Sequence, residues 1–259
     1  ELERRFKVAL RQWAEHEERA EVTLTKVPGQ GRFEAFDLTI RFSGNVVRYR
    51  ISEQAGLSSV SSTLPDFLIE RKDASGPQIA VYLDGFQFHA SPQHNRIAGD
   101  ASKRAEVRDH GRLVWNLTWG DVEQFHRAVT AQPSSAPPDR ALLSPEARTA
   151  AQRIQHHRGG AYDVGVIEQN PMALLLDFLW RPDLAEWQRV VLSAIGGMAA
   201  AAGAAPLDAG ALAAQLDAAQ AGRWVDTGEP TGPVVALAAR AHTPGGLPLG
   251  LFLDATDPD

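Results

Sequence analysis

The chain has 259 residues, of which 44% are hydrophobic and 22% charged, with a formal net charge of −6 and no cysteine. The lack of cysteine excludes disulfides, thiolate metal sites and a cysteine nucleophile, and fits a reducing cytosol, so the expected location is cytoplasmic. Residues 1–133 balance acid against base and the acidic excess falls in the remainder. Neither part is the basic surface of a strong autonomous nucleic-acid binder, so attraction to DNA or RNA would have to come from metal ions, local basic clusters or a larger parent protein.

The length suits one or two domains, and two are expected. No apolar run reaches the roughly 18 residues of a spanning helix, so no membrane span is expected. A start at Glu1 rather than Met reads as an excised or processed piece.

Leu2, Phe6, Leu10 and Trp13 recur at three- and four-residue intervals, which predicts an amphipathic helix of about 20 residues. Glu3 falls in its first turn, where a carboxylate favours the helix N-terminus and Lys7 is an i, i+4 partner. Residues 21–26, 32–42 and 45–51 read as strands, punctuated by Pro28-Gly29-Gln30-Gly31 and Ser43-Gly44-Asn45. Arg41, Arg48 and Arg50 form a modest basic cluster, read first as a solvated sheet face and second as a phosphate track.

Residues 66–70 and 78–85 are β-type runs separated by a polar stretch with Asp, Ser, Gly and Pro, so they are expected to pair as antiparallel strands. Side chains alternate along a strand, so Tyr82 and Asp84 share one face and Leu83 the other. Asp66 and Asp84 are then expected side by side, an arrangement that can hold a metal ion. Asp84-Gly85 is also an ordinary turn signal, and Pro65-Asp66 an ordinary strand start. A loop over 90–94 leads into a helix over 96–110 that carries Asp100, Lys103, Arg104, Val107 and Arg108, with Gly111 at the C′ position. Asp100 and Arg104 have the spacing of a helical ion pair. A strand over 112–119 and a helix over 120–129 follow.

Residues 131–140, AQPSSAPPDR, are the clearest linker. Beyond it, helices are expected over 145–156, over 172–180 behind the N-cap pair Asn170-Pro171, and over 183–201 and 208–221. Residues 232–241 and 247–255 are expected to close the chain as a hairpin. Nothing in this second half has metal-ligand or nucleophile spacing, and its alanine-rich stretch 196–205 reads as helix packing.

A helix with an early Glu, strands, Pro-Asp on one strand and an acid ending the next, then helix and strand, resembles the PD-(D/E)xK nuclease superfamily. Within it the chain looks most like the very-short-patch-repair (Vsr-like) endonuclease domains, over about residues 3–119. The helix-one glutamate of that family falls on Glu3 of LERRFKVALR and its metal-binding aspartate on Asp66 of LPDFLI. The acid-x-lysine strand reads Tyr82-Leu83-Asp84, a departure in which Tyr82 replaces the acid and Asp84 the lysine. Gly85-Phe86-Gln87-Phe88-His89 matches the Gly-aromatic-x-aromatic-His segment, which puts the catalytic histidine on His89. Asp100, Arg104 and the run from Gly111 to Trp115 match the helix, glycine and strand that follow.

The resemblance implies a restriction-endonuclease-like mixed sheet flanked by helices over residues 1–130, joined through 131–140 to a mainly helical accessory domain over 141–259 ending in a β-hairpin. It implies Mg²⁺-dependent hydrolysis of DNA phosphodiesters, with Mn²⁺ a possible substitute. Asp66, Asp84 and the Leu83 carbonyl would be the metal ligands, His89 the base and Glu3 an outer carboxylate orienting a metal-bound water. Lys103, Arg104 and Arg108 would contact the phosphate backbone. RNA is the weaker substrate expectation. The chain also resembles the nuclease-like modules of large bacterial superfamily-2 helicases that serve in phage defence, although no Walker A or other helicase motif is present. Tyr82 and the acidic second half sustain the competing expectation of a catalytically silent nuclease fold that binds DNA or docks a partner.

Overall fold

The first helix forms because an apolar residue returns to one side at every turn. In the computed structural model, α1 (Leu2–His16) buries Leu2, Phe6, Ala9, Leu10, Trp13 and Ala14. It is shorter than expected. The chain turns extended at Glu17, whose carboxylate accepts hydrogen bonds from the Trp13 indole N–H at 2.9 Å and from the backbone N–H of Arg19 at 3.0 Å. The structure describes residues 1–57, 63–84, 90–91, 94–95, 97–131, 140–201, 217, 238–240 and 249–251. They divide into two units, one of residues 1–138 with 170–181, the other of 139–169 with 182–259.

The first unit is built on a six-stranded mixed sheet. Strands β1 (Glu21–Val27), β2 (Ala35–Phe42), β3 (Asn45–Glu53), β4 (Phe67–Arg71) and β5 (Ile79–Asp84) follow one another antiparallel. A crossover through α2 (Ile97–Asp109) then brings β8 (Leu113–Thr118) parallel to β5. Between β5 and α2, β6 (Ala90–Ser91) pairs with β7 (His94–Asn95) where only a loop was expected. The sheet with its flanking helices is the α/β architecture the sequence predicts. The β1–β2 connection is longer than the sequence pattern suggested because Gly29 passes against the backbone: an added Cβ would lie 2.1 Å from the Phe33 carbonyl oxygen. The β2–β3 connection is a two-residue turn with Ser43 and Gly44 both at positive φ, the geometry that matches strand twist.

Alternation along the strands divides the core. Phe67 faces α1, where Phe6 stacks on it at 4.6 Å between ring centroids. Leu68, Ala80 and Tyr82 face the other way and pack with Ala55, Leu57 and Val107 of α2. After α3 (Trp119–Ala131), the unit is completed by α5 (Pro171–Trp180). Asn170 caps α5 by accepting from the Met172 N–H at 2.9 Å, and its amide donates to the Asp121 carbonyl at 3.1 Å. The Trp115 indole donates to the Pro171 carbonyl at 3.0 Å, and the buried Tyr49 hydroxyl to the Leu179 carbonyl at 2.9 Å. Residues 170–181, expected in the accessory domain, therefore group with the sheet.

The second unit contains α4 (Pro145–His157), a short 3₁₀ helix (Val164–Glu168) and α6 (Leu184–Ala201). Helices α4 and α6 approach closely at Gly197, where an added Cβ would meet the Ala147 carbonyl oxygen at 2.4 Å. Small residues there do serve helix packing. Buried Glu168 accepts from the N–H groups of Leu142 and Leu143 at 2.9 and 3.0 Å, which fastens the entry to α4. β9 (Ala238–Arg240) pairs antiparallel with β10 (Leu249–Leu251). Apart from 131, 140 and 217, the expected linker 131–140 and helix 208–221 lie outside the described residues. No helix among the described residues is long and apolar enough to cross a membrane.

Candidate functional site

A cleft of about 470 Å³ opens in the first unit at the C-terminal end of β5. It is lined by Glu1, Leu2 and Glu3 at the start of α1, by Thr63, Leu64 and Asp66 on the approach to β4, and by Tyr82, Leu83 and Asp84 of β5. Asp100, Lys103 and Arg104 of α2, with Trp119 at the start of α3, complete it. Segments far apart in sequence meet here because α1 covers one face of the sheet, α2 the other, and β5 ends between them.

Strand register decides how the two aspartates stand. Phe67 pairs with Val81, so continuation of the ladder sets Asp66 across from Tyr82 and places Asp84 two residues further along the same face. The expected side-by-side placement is thus shifted by one pleat. Asp66 is fixed at three points: its carboxylate accepts from the Leu83 N–H at 2.7 Å and the Gln54 side-chain amide at 3.3 Å, while its carbonyl accepts from the Gln54 N–H at 3.0 Å. Gln54, at a φ of 50°, turns the chain out of β3 to reach it.

Asp84 accepts a hydrogen bond from Arg104, in an ion pair whose side chains are 22% and 14% exposed. One turn from Arg104 on α2, Val107 packs against the sheet, which carries the guanidinium to the strand end and to 4.9 Å from the centroid of the Tyr82 ring. Among the described residues Arg104 pairs with Asp84, in place of the i, i+4 pairing with Asp100 that the sequence suggested. Burial raises the Tyr82 pKa, against the opposing influence of Thr63 and the Arg104 charge. The buried Tyr82 hydroxyl makes no hydrogen bond of normal geometry.

Glu3 lines the cleft without the predicted Lys7 partner. Lys7 instead reaches Glu34 at 2.8 Å and Glu53 at 3.3 Å. Burial alone would lower the Lys7 pKa, but these two carboxylates outweigh it and raise it. Lys103 is exposed on the cleft and makes no ion pair among the described residues, whereas Arg108 is exposed on α2 and does not line the cleft. His89 lies outside the described residues. The basic cluster on the sheet is largely neutralised, with Arg50 on Asp37 at 2.6 Å and Arg41 on Glu21 at 3.0 Å, which is the solvated-face reading.

Glu1, Leu2, Thr63, Leu64 and Trp119 also line the cleft and were not among the expected site residues. Leu64 carries no chemical signature. Trp119 was assigned to the end of a strand but opens α3, where Thr118 and Asp121 cap reciprocally: the Asp121 carboxylate accepts from the Thr118 N–H at 2.9 Å, and the Thr118 hydroxyl from the Asp121 N–H at 3.2 Å. That pattern, Thr-x-x-Asp, was legible as a helix start.

Among the described residues, no three His, Cys, Asp or Glu side chains converge as a ready-made metal-binding group. The donor chemistry nonetheless fits Mg²⁺, which binds through one or two carboxylates and keeps several waters. Asp66, Asp84 and the Leu83 carbonyl offer only hard oxygens, and the cleft's carboxylates, Glu1, Glu3, Asp66, Asp84 and Asp100, outnumber Lys103 and Arg104. A divalent cation would relieve that imbalance. No family model, no curated protein and no solved structure matches the chain.

Proposed function

We propose that the first unit is a Mg²⁺-dependent DNA endonuclease domain with a restriction-endonuclease-like fold, belonging to a larger cytoplasmic helicase-containing protein of the phage-defence type. The observation that carries the reading is convergence: Glu3, Asp66, Leu83, Asp84, Lys103 and Arg104, nominated from the order of motifs in the sequence, line one cleft from separate elements.

When bound, Mg²⁺ or Mn²⁺ would supply charge neutralisation at phosphorus and an acidified water. Asp66, already oriented by the Leu83 N–H, would be the fixed ligand. Asp84 would be the exchangeable one, because Arg104 already holds one of its carboxylate oxygens. Lys103, and Arg104 where the metal displaces it, would meet the phosphate oxygens. Glu3 would accept a hydrogen bond from the attacking water. His89 takes the role of base that the family resemblance gives it.

The Asp84–Arg104 pair also favours a second reading, in which the acid is retired to a structural ion pair and the unit binds DNA or docks a partner without cleaving. A plasmid-nicking assay in Mg²⁺ and in Mn²⁺ separates the two. The nuclease reading expects nicking by the wild type that is lost in Asp66→Asn and in His89→Ala. Absence of cleavage on duplex, single-stranded, mismatched and RNA substrates alike would leave the binding reading.

A further inference from the structure

Four large hydrophobic side chains stand exposed among the described residues, and two of them, Trp119 at 41% and Leu64 at 48%, line the candidate cleft. An indole exposed beside carboxylates and cations is not sealed into the core. Nor is it loosely held. The Arg5 guanidinium lies 5.2 Å from the Trp119 ring centroid and is itself tied to Glu123 and, at 3.3 Å, to Glu1. Arg5 thus backs the ring from α1, and the side chain stays partly exposed where it lines the cleft. The reciprocal Thr118–Asp121 cap fixes the backbone on which Trp119 sits. Tyr82 is the second aromatic in the lining, with the Arg104 guanidinium 4.9 Å from its ring centroid.

We infer that Trp119, backed by Arg5 and flanked by Leu64, is a stacking platform for an unpaired nucleobase, so that the domain acts on single-stranded or locally opened DNA rather than on intact duplex. The inference rests on the nuclease reading of the cleft for its phosphate-contacting partners, Lys103 and Arg104. A flat apolar ring next to cations matches the two chemical parts of a nucleotide: every base presents a π-face for stacking, and every linkage a phosphate. In a continuous duplex the base faces are already stacked on their neighbours and unavailable to an indole at the cleft wall. Stacking on an aromatic tolerates any base, so the platform selects strand state rather than sequence.

Fluorescence anisotropy with a labelled oligothymidine and a blunt duplex of equal length, in Ca²⁺ buffer to supply charge without relying on turnover, tests this. The wild type is expected to bind the single strand more tightly than the duplex. Trp119→Ala should weaken single-strand binding about ten-fold or more with little change in duplex binding, and Trp119→Phe should restore most of the loss. Leu64→Ser should weaken it by a smaller factor. Trp119 is exposed enough for these variants to fold, which far-UV circular dichroism checks. Equal single-strand affinity in wild type and Trp119→Ala overturns the inference, as does a wild type that prefers the duplex or binds no single strand. Failure of the nuclease reading registers differently, as absent nicking in Mg²⁺ and Mn²⁺ by a protein whose Trp119-dependent binding persists.

Discussion

The guanidinium of Arg104 holds the carboxylate of Asp84 while lying 4.9 Å from the centroid of the Tyr82 ring. One positive charge is thereby shared between a carboxylate and an aromatic face at the end of β5. An arginine and a divalent cation would compete for the same carboxylate, so under the metal-dependent reading the pair would set a threshold for metal entry. Arg104→Ala should raise the affinity for Mn²⁺ several-fold, in keeping with the loss of a partly buried ion pair, while lowering affinity for DNA. Isothermal titration with Mn²⁺ followed by anisotropy with DNA checks both. An unchanged Mn²⁺ affinity would show that Asp84 is not a metal ligand.

Asp66 has two tasks that different substitutions separate. Its carboxylate accepts the Leu83 N–H at 2.7 Å and the Gln54 amide at 3.3 Å, so removing it strands a partly buried backbone donor. Asp66→Ala should cost about 1–3 kcal/mol of stability in urea unfolding. Asp66→Asn keeps an acceptor oxygen and should lose much less, yet abolish cleavage because the charge is gone. If Asp66→Asn proves as unstable as Asp66→Ala while nicking is retained, the residue is structural only.

Helix α5 belongs to the sheet through named contacts that can be cut singly. Tyr49 donates from a buried position to the Leu179 carbonyl, and its pKa is driven upward by that burial. Tyr49→Phe should cost about 1 kcal/mol. Asn170→Ala, which removes both the cap on Met172 and the bond to the Asp121 carbonyl, should cost about 1–2 kcal/mol or more. Hydrogen exchange over 171–180 is the discriminating measurement: faster exchange is expected in Asn170→Ala, and unaltered protection would mean the helix is held by apolar packing alone.

Sequence periodicity was enough to find α1, the first five strands, α2 with the strand after it, and the capped start of α5, because each rests on local patterning or turn chemistry. Asp66, Asp84 and Glu3 could be nominated because few residue types perform phosphoryl chemistry. Long-range choices were not legible. Lys7 had a neighbour at i−4 but takes Glu34 from the β1–β2 connection and Glu53 from β3. Arg104 had Asp100 one turn away but extends to Asp84. In each case two acceptors of equal chemistry competed, and tertiary geometry decided. The return of residues 170–181 to the first unit was hidden for the same reason: a proline-rich linker marks where a chain leaves a domain, and carries no sign that it comes back.

The Lys7–Glu34–Lys26 arrangement gives the first unit an acid sensitivity of known sign. Glu34 is held down to a pKa of about 2, from an ordinary value of 4.5, first by its hydrogen bond with Lys26 and then by that with Lys7. A carboxyl whose folded pKa lies below its unfolded value adds stability that is complete above about pH 4.5 and is lost as pH falls toward 2. Glu34 is partly exposed, so screening keeps its contribution to about 1 kcal/mol or less. Glu34→Gln should therefore be slightly less stable than wild type at pH 7, and the gap should close between pH 4.5 and pH 2. Urea midpoints at pH 7, 4.5 and 2.5 check this. A gap that stays constant across the three would mean the lysines stabilise the loop at Glu34 through packing of their methylenes and not through the carboxylate charge.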